Sequence, residues 1–290
     1  MKSTRALAIF VLCLGLSCGG TTGGQLIHIP FQVGGVERPQ DALPDGGLGP
    51  YTFTTPLGWN VKLTEAIASL GPFYFNVSPP QTHTFHTGVV ILQVTQQVLV
   101  NALDPALINV DAGADGETGT AVAVEIELYP PDKTGDPNLT SDLQNPLTFQ
   151  YGQAVVRGVA DRVDANGADA GHVPFNGCIT IDTSLMTAQQ PLDFLQRVSG
   201  AACGPTDGGC VFSGNNQLVQ LRVDPAHWFD TADFSSLVPL PTIFPDGGVE
   251  DAGPPPTSYT WKTSDTFNAK ELMVGLQSRT GAYNFTVVTP

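Results

Sequence analysis

Apolar and polar residues alternate with a period of two through much of this chain. Val122, Val124, Ile126 and Leu128 form one apolar face, while Ala123, Glu125, Glu127 and Tyr129 fall on the other. That is the pattern of a half-buried strand, and it places Glu125 and Glu127 on a solvated face rather than in a working carboxylate pair. Val219, Leu221 and Val223 repeat it against Gln220 and Arg222. Further β-branched and aromatic runs lie at 59–63, 73–77, 89–94, 97–103, 154–163, 173–181 and 283–288. Two short helices are expected. Asp224-Pro225 is a cap followed by a first-turn proline, opening 226–229, and 268–276 can form the second. Roughly ten strands with turn residues between them predict an all-β fold, an antiparallel β-sandwich or jelly-roll with one or two short helices.

Where the periodicity stops, the chain divides. Residues 18–50 hold Gly19-Gly20, Gly23-Gly24, Gly34-Gly35 and Pro44-Asp45-Gly46-Gly47. They read as a Gly/Pro-rich tether interrupted by one strand at 26–33. The β-sandwich domain is then expected over 51–290. Acidic, glycine-rich stretches at 111–116, 164–171, 207–209 and 245–256 read as surface insertions. Calcium does not fit them, because neither the alternating ligands and closing Glu of an EF-hand nor stacked nonapeptides are present.

Composition changes the picture less than the first residues do. Lys2 and Arg5 precede an apolar run at 6–16, too short for the ~20 residues of a membrane span. The run ends in Leu14-Gly15-Leu16-Ser17-Cys18-Gly19-Gly20, the form of a bacterial lipoprotein signal, with Gly15 where leucine is usual. Residues 1–17 are thus expected to be a cleaved signal peptide, and Cys18 the acylated N-terminus that ties the chain to a lipid bilayer. Gly19 favours the outer membrane or cell surface, with a periplasm-facing placement as the other option. With 27 acidic against 12 basic residues and a net charge of −15, the chain repels phosphate, so nucleic acid is excluded as a partner.

After Cys13 leaves with the signal and Cys18 is acylated, Cys178, Cys203 and Cys210 face an oxidising compartment. The glycines of the 204–209 loop favour a Cys203–Cys210 disulfide over a pairing with Cys178. No Gly-x-Ser-x-Gly elbow, phosphate-binding Gly-rich loop or His-Glu-x-x-His helix occurs, so the chain is read as a non-enzyme. Asp224 and Asp230 flank His227 in a turn that plugs one end of the sandwich. Trp59, Trp228 and Trp261 suit core or rim packing better than a sugar-stacking platform. The sharper candidate is His83-Thr84-Phe85-His86 after Pro79-Pro80. Imidazole is a common ligand of copper and zinc, and a bend at Thr84-Phe85 lets both rings face one ion. Two ligands do not complete a site, so His28, His172, His227 or an acidic loop must add the rest.

Three stretches carry a resemblance. They are Gly58-Trp59-Asn60-Val61-Lys62-Leu63 leading to Leu70-Gly71-Pro72-Phe73-Tyr74-Phe75, then Val223-Asp224-Pro225-Ala226-His227-Trp228-Phe229-Asp230, and the closing Gly281-Ala282-Tyr283-Asn284-Phe285. In these the chain resembles a group of uncharacterised myxobacterial lipoproteins. Members of that group often hold a His-rich segment where His83 and His86 stand. In order of elements the chain is also similar to methanobactin-associated periplasmic copper-binding proteins. The resemblance implies an anchored extracytoplasmic protein that binds or buffers copper or zinc at His83 and His86. The alternative is a structural or adhesive β-sandwich that meets a protein or polysaccharide partner at the cell surface.

Overall fold

A computed structural model describes residues 23–38, 49–78, 89–128, 153–163, 169–179, 197–204, 209–236 and 267–290. They form fifteen strands, β1 to β15, and one α-helix, α1 (Phe267–Leu276). An eight-stranded sheet runs in the order β12 (Arg197–Ala202), β9 (Ala123–Glu127), β4 (Phe73–Asn76), β5 (Val90–Val94), β7 (Ile108–Glu117), β1 (Leu26–Gly35), β14 (Leu218–Val223) and β15 (Tyr283–Val288). A smaller sheet runs β11 (Asp169–Ile179), β10 (Ala154–Val163), β3 (Asn60–Leu70) and β2 (Tyr51–Thr54), with β6 (Val98–Asn101) also on β3. The short strands β8 (Gly119–Ala121) and β13 (Cys210–Phe212) pair with each other.

The fold is the expected all-β sandwich, with more strands than the roughly ten that periodicity alone marks out. One cluster of buried residues draws on both sheets, so they share a core. Phe31, Phe73, Phe75 and Phe285 fill the large-sheet side, with the Phe31 and Phe73 rings 5.0 Å apart. Trp59, Phe175, Phe229 and Phe234 fill the small-sheet side. Almost every strand pair is antiparallel, but β1 and β14 run parallel. The large sheet also curls back on itself, since Cys203, just past β12, bridges to Phe285 of β15 and the Gly204 amide donates to the Phe285 carbonyl at 3.1 Å.

Three expectations change. The tether reading of 18–50 does not hold for its middle. β1 lies inside the large sheet, between β7 and β14, and buries Ile27, Ile29, Phe31 and Val33. The folded body therefore begins before residue 26 rather than at 51, because four alternating apolar side chains supply a complete inner face. The glycine-rich stretch 111–116 is not a surface insertion but part of β7, and 169–171 lies in β11. In β7 the acidic residues point outward and small residues let neighbouring strands approach. A Cβ at Gly116 would fall 2.0 Å from the Ile91 carbonyl oxygen.

The third change concerns β9. Every residue of it is buried, including Glu125 at 1% and Glu127 at 3% exposure. The alternation places both carboxylates on the outward face of the sheet, yet that face is covered at this end. The two expected helices are found as α1 and as a 3-10 turn at Pro225–Phe229, whose cap Asp224 accepts from the Ala226 amide. No helix among the described residues is long and apolar enough to cross a membrane.

Candidate functional site

Strand pairing assembles a polar row that no single segment displays. Ser199 of β12 lies opposite Glu125 of β9, which lies opposite Tyr74 of β4. Tyr74 lies opposite Gln93 of β5, Gln93 opposite Asp115 of β7, and Asp115 opposite His28 of β1. Residues directly opposite share a face, so six polar side chains cross six strands on the outward side of the large sheet. The row is buried at its β12–β9 end and open at its β1 end.

At the buried end Arg197 forms an ion pair with Glu125. Burial raises the Tyr74 phenol above its ordinary range, and the Glu127 and Glu125 carboxylates push it the same way, against a smaller opposing pull from Arg197.

At the open end the His28 Nδ1 is 2.7 Å from the Asp115 carboxylate, with the two side chains 61% and 71% exposed. An ionised carboxylate only accepts, so Nδ1 is the donor of this pair, and in the neutral imidazole Nε2 is then an acceptor. The Asn215 side-chain oxygen accepts from the His28 backbone amide at 2.8 Å and fixes the strand beside the ring. Gly113 makes room for the imidazole. Its φ is +59°, a left-handed conformation, and a Cβ there would sit 2.8 Å from the ring. His28, Asp115, Gln93, Asn215, Gly116 and Leu26 line a shallow depression of about 500 Å³. Leu26, 77% exposed, gives it one apolar wall.

The other two described histidines are also paired to aspartates. His172 Nδ1 lies 2.6 Å from Asp161 on the small sheet, in a row with Asn60 and Thr54. His227 Nδ1 lies 3.0 Å from Asp230 at the end of the 3-10 turn. Nearby, Trp59 donates its indole N–H to Asp233. Burial tends to raise the Asp233 carboxyl, but the Ser235 hydroxyl and amide, Trp59 and Arg162 outweigh it and hold the group below its ordinary range.

The residues singled out from the sequence fall as follows. Cys18, His83, His86 and Trp261 lie outside the described residues. The segment that carries His83 and His86 connects β4 to β5, whose ladder continues to the bond from the Val77 amide to the Val89 carbonyl. Cys203 and Cys210 are joined in a disulfide, and the Cys178 backbone pairs with Val155 inside β11. Trp59 and Trp228 are buried core residues. Among the described residues, no three His, Cys, Asp or Glu side chains converge as a metal site.

The sequence did not point to Asp115, Gln93 and Asn215. Asp115 sits in the stretch taken for a loop, Gln93 is one outward residue among many, and Asn215 meets His28 only through tertiary folding. Comparison of the chain with protein-family models and with curated proteins found no match in either. Among solved structures the chain is similar to MbnP from Methylosinus trichosporium, at 12% identity over 73% of this chain and 79% of that one, with a TM-score of 0.29. An overlap that loose assigns neither a ligand nor a residue.

Proposed function

We propose that this chain is a non-enzymatic binding module held outside the cytoplasmic membrane by an acylated Cys18, with copper or zinc as its candidate ligand through His83 and His86. The observation that supports a binding role is the state of the described histidines. Each is tied at Nδ1 to an aspartate. An imidazole oriented by a carboxylate through one nitrogen offers the other to a ligand.

For a metal held at His83 and His86, His28 is the described histidine on the sheet that holds β4 and β5, the strands before and after that segment, with only β7 between β1 and β5. His172 belongs to the other sheet and His227 to the 3-10 turn. The test is metal uptake by the mature chain, residues 18–290, titrated with Cu(II) and Zn(II) and desalted before elemental analysis. The expected result is about one retained ion per chain, lost on replacement of both His83 and His86 by Ala. No retention, or retention unchanged in the double variant, would falsify the metal assignment.

A protein or polysaccharide partner is the second reading, favoured by the amide ladder on the same outward face. Gln220 donates to Gln32, and Gln32 donates to Asn109. Such a surface offers directional hydrogen bonds without a strong charge.

A further inference from the structure

We propose that the depression around His28 and Asp115 binds a neutral saccharide through a pair of adjacent hydroxyls, an inference that rests on the binding-module reading and gives the partner of the outward face a chemical class. The argument begins with what the site offers. Asp115 Oδ1 accepts from His28 Nδ1, which leaves Oδ2 as a further acceptor, and in the neutral imidazole His28 Nε2 is a second acceptor. The Asn215 oxygen is used by the His28 amide, which leaves its NH2 as a donor, and the Gln93 amide supplies a donor and an acceptor. The hollow thus offers both donors and acceptors. A hydroxyl both donates and accepts, so two neighbouring hydroxyls match that arrangement, one donating to Asp115 while accepting from Asn215.

Other ligand chemistries fit less well. Among the described residues no Lys or Arg lines the hollow, and Asp115 repels phosphate, sulfate and carboxylate, as does the chain's charge of −15. A metal ion needs three or more converging protein ligands, and the hollow holds one imidazole and one carboxylate, already bonded to each other. Leu26 gives the hollow an apolar wall, but a wholly apolar ligand would cover His28, Asp115, Gln93 and Asn215 without answering their hydrogen bonds. The exposed Leu26 instead offers an aliphatic contact to the C–H face of a sugar ring.

The face also continues beyond the hollow. The side chains of Leu26, His28, Pro30 and Gln32 alternate outward along β1 against buried Ile27, Ile29, Phe31 and Val33. The Gln220–Gln32–Asn109 ladder therefore lies on the same face, about 13 Å along the strand from His28. A linear oligosaccharide laid along β1 would meet amides at both positions, so a tetrasaccharide should bind more tightly than a monosaccharide.

The experiment is a titration of the mature chain, residues 18–290 in detergent micelles, followed by amide chemical shifts. The probes are glucose, maltotetraose, cellotetraose, mannotetraose and tetragalacturonate, each carried to about 10 mM, high enough to reveal millimolar affinity. At least one neutral tetrasaccharide should shift the amides of Ile27, His28, Gly116 and Gln32, and tetragalacturonate should not. Asp115→Asn, isosteric and at an exposed position, should weaken binding about tenfold through loss of a charged acceptor, and Leu26→Ser should also weaken it. The inference is overturned if no neutral probe shifts these amides, if shifts map elsewhere, or if Asp115→Asn leaves the affinity unchanged. Metal uptake measured on the same sample separates the failures. Uptake at His83 and His86 with no saccharide response removes this inference alone, and absence of both removes the binding-module reading with it.

Discussion

Glu125 and Arg197 show how a single residue's role depends on what lies across the sheet. Alternation correctly places Glu125 on the outward face of β9, and solvent is what such a face normally meets. Here the β12–β9 end of that face is covered, so the charge is retained by pairing with Arg197. A buried carboxylate stripped of its partner is far costlier than the pair is stabilising. Arg197→Met should therefore lower stability by about 3–5 kcal/mol, and the double change with Glu125→Gln should recover most of that. Denaturant unfolding of the two variants checks this, and a loss under 1 kcal/mol for the single change would mean that Glu125 reaches water. His28 makes the complementary point. Its residue type was visible as a spare ligand, but its aspartate and the glycine beneath its ring come from β7, and its asparagine from the turn before β14.

At the scale of elements, β1 is the informative strand. Its own pattern, buried Ile27, Ile29, Phe31 and Val33 alternating with outward Leu26, His28, Pro30 and Gln32, is as regular as that of any strand in the chain. Flanking glycine pairs and proline disguised it as an interruption in a tether. Its partners settle the matter, since it bonds to β7 on one side and β14 on the other. Deleting residues 18–36 should therefore abolish the cooperative unfolding transition seen by circular dichroism, because it opens the middle of the large sheet and empties the space around Phe73. A tether could be removed with no change in the transition midpoint. By contrast, the 3-10 turn was readable residue by residue. Asp224 and Pro225 supply the cap and the fixed first φ locally, so no distant segment had to be known.

On the scale of the molecule, the disulfide sits where the large sheet closes. Cys203 continues β12 and bridges to β15, while Cys210 begins β13, so the bond ties the closing seam to the β8–β13 ribbon. Replacing both cysteines by Ala should cost about 2–3 kcal/mol, the expectation for so short a closed loop. It should also speed hydrogen exchange at Gly204, whose amide bonds Phe285 across the seam. Unchanged protection there would show that the strands close without the bridge. The sequence by itself determined the strand-rich class, the capped turn, the α1 helix and the loop that joins Cys203 to Cys210, because each follows from neighbours within about ten residues, the range of local propensity and periodicity. Only the tertiary structure decided that β1 is central, that Glu125 and Glu127 are buried, and that His28, Asp115, Gln93 and Asn215 line one hollow. A period of two states which side of a strand is polar, but pairing between distant strands decides what that side faces.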